Sequence, residues 1–480
     1  MKRLACAIAF WGLFPVIAFA NTAQPHLDPA ASVILWVTLL FFGGVIGRYI
    51  ALRFHQPGVL GELLMGVVVG NICYFFGIEL AVILREGPAI FSIMRDLLAG
   101  DSLPNAINAV IHNATSVQQM FLALSGTQGP ELIKVAYVVD AFSRYGVIFL
   151  LFMVGLESSV ADLKTTGRES LQVAVIGVLA PILLGLLVSY VLLPNALFST
   201  HLFVAATLSA TSVGITARVL KEMKKLGTRE ARTVLGAAMI DDILGLVILA
   251  IVSSLVIRGV VNMAMIGQII LFATLFFAAV LWIGPWVLRQ AVRFFAFLEP
   301  WEAKLTIAFL FVMSLSWFAT IVHLATIIGA FAAGVIIHDG LFKVRDGEHQ
   351  RAIGIKELMA PLEAILAPLF FMLIGIQVKM ETFLNGHVLV MATGLILAAI
   401  LGKLISGLGA NRKDDRFLIG IGMLPRGEVG LVFASIGKTL GVISDELFSA
   451  IILMVIVTTF IAPIWLKARY AKQKMHAHGS

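Results

Sequence analysis

The chain has 480 residues, of which 60% are hydrophobic and only 13% charged, with a mean hydropathy of +0.98. Soluble domains carry about 25% charged residues, so the composition excludes a soluble globular protein and predicts an all-α polytopic membrane protein. The net charge of +7 does not indicate nucleic acid as a partner, because the basic residues lie between apolar segments and form no patch.

At the N-terminus, Met1-Lys2-Arg3 is a short basic start and Leu4 to Ile17 an apolar run. Ala18-Phe19-Ala20 is an A-x-A cleavage site. These features predict a cleaved signal peptide over 1–20 and a mature chain, 21–480, that begins outside. About thirteen later segments are long enough to span a bilayer. They are 31–53, 58–77, 138–157, 171–193, 200–220, 233–257, 264–288, 304–322, 325–341, 361–378, 387–408, 417–437 and 447–466. A long outer, periplasmic loop, 85–135, separates the second from the third. An odd number of crossings that starts outside ends inside, leaving 467–480 as a short cytoplasmic tail. The 35 Lys and Arg agree, since most fall in loops that this count places inside. The densest group is Arg218, Lys221, Lys224, Lys225, Arg229 and Arg232. The expected setting is an inner (plasma) membrane of bacterial type.

The chain also repeats itself. Leu151-Phe152-Met153-Val154-Gly155-Leu156 resembles Phe371-Met372-Leu373-Ile374-Gly375-Ile376, and Val213-Gly214 matches Val429-Gly430. Gly66 and Gly334 mark a third pair, whose larger offset is accounted for by an insertion at 85–135. An odd number of crossings separates equivalent segments, so the repeats have opposite topology, the architecture of secondary transporters.

Corresponding segments of both repeats are interrupted. One holds Ser209-Ala210-Thr211-Ser212-Val213-Gly214-Ile215-Thr216, with hydroxyls around a glycine. The other holds Gly420, Gly422, Pro425, Arg426, Gly427, Glu428 and Gly430. Broken backbone is tolerated at membrane depth only where it lines a cavity or finds partners, so two crossed, broken helices are expected around an ion site.

Asp241 and Asp242 stand side by side in the apolar run L-G-A-A-M-I-D-D-I-L-G-L-V. A charge at the bilayer centre costs at least ~2.5–3.5 kcal/mol on insertion scales, so two adjacent carboxylates imply a cation or proton that binds there. Lys403 lies on another apolar segment, about 14 Å along the helix from Arg412. A lysine held at that depth needs a carboxylate, although it could instead snorkel to the interface. Neighbours on a helix diverge by about 100°, so one aspartate can pair with Lys403 while the other faces a cavity. Arg426 and Glu428 are expected to satisfy each other or nearby charges, and Glu62 and Glu157 to sit near inner helix ends. His338 and Asp339 read as an ordinary helix end. No nucleophile–base set or metal-ligand spacing points to an enzyme or a cofactor, and Cys6 and Cys73 provide no disulfide framework or zinc site.

Together these segments resemble the monovalent cation:proton antiporter-2 family. The resemblance rests on A-A-M-I-D-D-I-L-G-L-V, A-T-S-V-G-I-T-A-R-V-L, Q-P-G-V-L-G-E-L-L-M-G, F-M-V-G-L-E and G-M-L-P-R-G-E-V-G-L-V, and covers nearly all of the mature chain. It implies a homodimer in which a core domain with the crossed helices moves against a dimerisation domain. It further implies an electrogenic antiporter in which Asp242 carries Na⁺ or protons and Asp241 pairs with Lys403. Thr211 and Ser212 would assist at the ion, and Gly214, Pro425, Arg426 and Glu428 would support the site. Potassium-efflux relatives have Gln-Asp at this place, so Asp241-Asp242 favours Na⁺ over K⁺, with Li⁺ a further candidate. The chain departs from that pattern in its long outer loop and in lacking a G-x-G-x-x-G after the last span, so nucleotide gating is not expected. The alternatives are K⁺/H⁺ exchange, or a channel-like or sensory protein on the same scaffold.

Overall fold

The computed structural model describes residues 30–478, except 55, 88, 112–113, 158–166, 226, 259–262, 323 and 343–352. The expected signal peptide lies outside the described residues. Every expected span is helical. In chain order the helices are α1 (Ala31–Arg53), α2 (Gly58–Phe75), α3 (Glu79–Arg85), α4 (Ala89–Leu98), α5 (Leu103–Val110), α6 (Ala114–Ser125) and α7 (Gly129–Glu157). There follow α8 (Arg168–Leu192), α9 (Phe198–Ser209), α10 (Val213–Glu222), α11 (Arg229–Arg258), α12 (Met263–Phe294) and α13 (Pro300–Ile321). The last are α14 (Thr326–Ile336), α15 (Ile355–Ile376), α16 (Gly386–Ser406), α17 (Arg416–Gly422), α18 (Glu428–Thr439) and α19 (Asp445–His478).

Ten helices among the described residues are long and apolar enough to cross a membrane unbroken. The three remaining expected spans are shorter or split. One is the 11-residue α14, and the others are α9 with α10 and α17 with α18, each built from two halves. The boundaries differ from expectation at two places. Helix α7 starts at Gly129, because Leu132, Val135, Ala136 and Val139 continue its apolar face and are all buried. Helix α19 runs on to His478, so the expected tail extends the last helix; the sequence after Leu466 holds no proline or glycine before Gly479 to stop it.

The insertion is itself helical. Helices α3 to α6 and the start of α7 enclose a small core of Ile83, Ile93, Ile107, Met120 and Val135.

The sequence repeat reappears as paired crossings. A Cβ on Gly66 of α2 would lie 2.3 Å from the Met372 carbonyl oxygen on α15, and one on Gly375 would lie 2.2 Å from the Leu63 oxygen. The equivalent crossing joins α7 and α14, where a Cβ on Gly155 would lie 2.3 Å from the Phe331 oxygen and one on Gly334 2.2 Å from the Phe152 oxygen. Lipid provides no hydrophobic drive between helices, so such close small-residue crossings hold them by packing. Gly66→Val is therefore expected to destabilise the protein by about 1–3 kcal/mol through overpacking. The measurement is the melting temperature in detergent, and an unchanged value would show that the crossing yields.

The helices gather into two bundles. A scaffold bundle holds α1, α2, α7 and α12 to α15, and a core bundle holds α8 to α11 and α16 to α19. Residues that the crossing count places on one side do meet. Arg229 pairs with Glu169 and Asp414 at 2.7 and 3.3 Å, and Arg469 with Asp415 at 2.7 Å. At the other end Lys379 pairs with Glu86 and Asp445 at 2.7 and 2.6 Å, and Arg85 with Glu381 at 2.6 Å.

Candidate ion-binding site

The site forms where four half-helices end inside the core bundle. Pro425 lacks an amide N–H and disfavours helical backbone at Leu424, so the segment between α17 and α18 opens over Met423 to Gly427. The opening between α9 and α10, at Ala210-Thr211-Ser212, contains neither proline nor glycine. Its hydroxyl side chains compete for backbone partners instead.

Each break supplies what the other lacks. Ser212 N donates to the Pro425 carbonyl at 2.8 Å, the Thr211 hydroxyl to the Met423 carbonyl at 3.3 Å, and the Thr216 hydroxyl to the Gly422 carbonyl at 2.7 Å. In return Arg426 Nη1 donates to the Ala210 carbonyl at 2.5 Å, putting a cation at the negative C-terminal end of α9. A second Arg426 nitrogen points to the Ala399 carbonyl of α16 at 3.5 Å, and Thr459 of α19 donates to the Arg426 carbonyl. A side chain at Gly427 would collide with Ser212, its Cβ lying 2.8 Å from Oγ, so glycine lets the two strands of backbone meet.

Against this crossing lies the middle of α11. Asp241 is completely buried and Asp242 is 3% exposed. Lys403, on α16, is also completely buried, and its Nζ donates to Asp241 Oδ1 at 3.0 Å. It therefore does not snorkel. Gly177 of α8 packs beside it; a Cβ there would press on Ser406 Cβ at 3.1 Å while meeting Nζ at an ordinary contact distance of 3.8 Å. Thr211 and Arg426 are close enough to act on the Asp241 carboxylate, and Asp242 acts electrostatically on Lys403. Because successive helical positions diverge by about 100°, the Asp241–Lys403 pair leaves Asp242 on another face of α11.

The structure thus brings together Asp241, Asp242, Lys403, Thr211, Ser212, Pro425 and Arg426, with Gly214 in the first turn of α10. Glu428 opens α18, but its side chain, and with it the expected contact to Arg426, falls outside the described residues. So do the side chains of Glu157 and Asp339. Arg426 serves the Ala210 carbonyl freed by the break after α9, and points to the Ala399 carbonyl within α16. Glu62 sits apart in the scaffold bundle, 1% exposed and 3.2 Å from Arg48. His338 is exposed just past α14. Thr459 was not singled out from the sequence; a hydroxyl in an apolar helix usually bonds to its own turn, as its neighbour Thr458 does.

A family profile described as "Sodium/hydrogen exchanger, transmembrane" matches residues 37–470. The chain is 35% identical over 474 residues to the high-affinity Na⁺/H⁺ antiporter NhaS3 of Synechocystis, covering 96% of this chain and 95% of that protein. It is 30% identical over 450 residues to a Na⁺/H⁺ antiporter of Enterococcus hirae, covering 92% and 98%. The Na⁺/H⁺-K⁺ antiporter GerN of Bacillus cereus is 29% identical, covering 91% and 96%. Among solved structures, the sodium proton antiporter MjNhaP1 of Methanocaldococcus jannaschii at pH 8 has a TM-score of 0.59 at 18% identity, covering 92% of this chain and 98% of that one. That last likeness is one of fold.

Proposed function

The chain belongs to the sodium/hydrogen exchanger family, and from that premise we propose that it exchanges Na⁺ for H⁺ with Asp242 as the carrier. One observation supports the assignment of roles: Lys403 engages Asp241, and Asp242 is a second buried carboxylate on another face of α11, beside the broken crossing. Na⁺ is a hard cation and takes oxygen ligands. The Asp242 carboxylate would supply the charge, and the Thr211 and Ser212 hydroxyls with carbonyls at the breaks would supply the remaining oxygens.

In this reading Na⁺ from the cytoplasm binds Asp242 and displaces protons. The core bundle then shifts against the scaffold bundle and exposes the site on the other side, where protons displace Na⁺. Inward protons drive outward sodium. Lys403 gives the cycle its charge imbalance if it releases a proton as Asp241 engages the ion.

The test is proteoliposomes with an imposed pH gradient and a panel of Na⁺, Li⁺ and K⁺. Na⁺ is expected to evoke proton flux, and a response to K⁺ alone would replace the Na⁺ assignment with K⁺/H⁺ exchange. A second measurement examines the shared carboxylate. If Na⁺ and H⁺ compete for one group, protonation removes the Na⁺ ligand, so apparent Na⁺ affinity weakens about tenfold per unit of acidification below the site pKa. An affinity that stays flat from about pH 5 to about pH 8.5 would mean separate sites.

A further inference from the structure

We propose that the helical insertion forms an ionic latch that closes the outer end of the core bundle, and that this structure is the outer-closed state. The inference rests on the reading above, in which the core bundle moves. Its physical basis is the placement of the charged pairs.

The segment after α15 is fixed to the scaffold and the insertion. Asn71 of α2 donates to the Val378 carbonyl at 2.9 Å and accepts from Met380 N at 3.1 Å. Arg85, 1% exposed at the end of α3, bonds Asn71 Oδ1 at 3.1 Å and Glu381 at 2.6 Å, and its guanidinium lies 3.8 Å from the centre of the Tyr74 ring. From this anchored segment Lys379 reaches in two directions. It meets Glu86 of the insertion at 2.7 Å and Asp445, the first residue of α19 in the core bundle, at 2.6 Å. Asp445 also holds Lys438 of α18 at 2.9 Å, and Lys438 Nζ lies 3.5 Å from the Arg85 carbonyl. Lys379 is thus the central cation of a chain running from insertion to core.

At the other end, Arg229 with Glu169 and Asp414, and Arg469 with Asp415, pair within the core bundle, and Arg48 with Glu62 pairs within the scaffold. Ion pairs that cross between bundles must break when the bundles move, whereas pairs within a bundle travel with it. Lys379 is only 7% exposed, so its two carboxylates replace the water it has lost. Burial alone would lower its pKa, but Glu86 and Asp445 outweigh that and raise it, which keeps the central cation charged.

The test uses full-length protein with Cys6→Ser and Cys73→Ser as background. Spin labels at Asp101→Cys on the insertion and Asn195→Cys on the core report the outer separation of the two bundles. Lys379→Gln is expected to raise the longer-distance population several-fold; an unchanged distribution overturns the latch. A second arm does not depend on how well Lys379→Gln folds. Glu86→Cys with Asp445→Cys, bridged by a short bifunctional thiosulfonate, is expected to lose exchange and regain it on reduction. Exchange that continues in the bridged protein overturns the proposal. The distance readout needs no transport, so its failure leaves the role of Asp242 standing. Conversely, a transport-competent Asp242→Asn would remove that role without altering the distances.

Discussion

Asp242→Asn is expected to reduce cation-dependent proton flux to the level of empty vesicles while the protein still inserts and melts no earlier than the wild type. Asparagine keeps the shape of the side chain but cannot exchange a proton, and it offers a cation one neutral oxygen where a carboxylate stood. Removing a charge from a position 3% exposed also lessens the cost of burying it, so instability cannot account for the loss. The measurement pairs proteoliposome flux with thermal unfolding in detergent. Robust Na⁺-dependent flux in this variant would sink the assignment of Asp242 as carrier.

The second large effect concerns its neighbour. Asp241 and Lys403 are both completely buried and 3.0 Å apart, so removing one partner strands the charge of the other. Such a break costs about 3–5 kcal/mol. Asp241→Asn is therefore expected to lower the melting temperature clearly, and adding Lys403→Gln to recover part of the loss. Groups in direct contact show this kind of non-additivity, about 0.5–3 kcal/mol, whereas independent sites add. The double variant is also expected to move one charge fewer per cycle, read as a smaller current on a solid-supported membrane. Additive stability losses with an unchanged current would mean that the pair takes no part in the cycle.

Much of this was legible in the sequence because a membrane makes polar exceptions conspicuous. Proline, glycine and hydroxyl residues at mid-span pointed to broken helices, and a lysine at that depth pointed to a carboxylate unless it snorkelled to the interface. The exceptions could not reveal their partners. Arg426 read as a partner for Glu428 or nearby charges; its guanidinium also reaches the Ala210 carbonyl, which the break after α9 frees and which no sequence pattern displays, and points to Ala399. The 85–135 stretch read as a loop because its helices are too short to span. Its apolar residues close on one another at Ile93, Ile107 and Met120, a satellite core that hydropathy alone does not separate from a span. Lys379 carried no signal either, as a lysine in an outer turn is ordinary until two separate segments converge on it.

The paired glycine crossings have a mechanical corollary. At Gly66 with Gly375, and again at Gly155 with Gly334, one helix rests on the carbonyl oxygens of the next with no side chain between them. Contacts of that kind have no rotamers to rearrange, so sliding by even an ångström would drive backbone into backbone. The α2–α15 and α7–α14 pairs therefore behave as fused beams, and their cohesion comes from dispersion, which ionic strength does not screen. Salt, by contrast, weakens charged contacts within reach of solvent. A change in ionic strength should then leave the stiffness of these beams unaltered while loosening whatever is tied to them by charge, so that electrolyte acts on the clearance between moving parts and not on the parts.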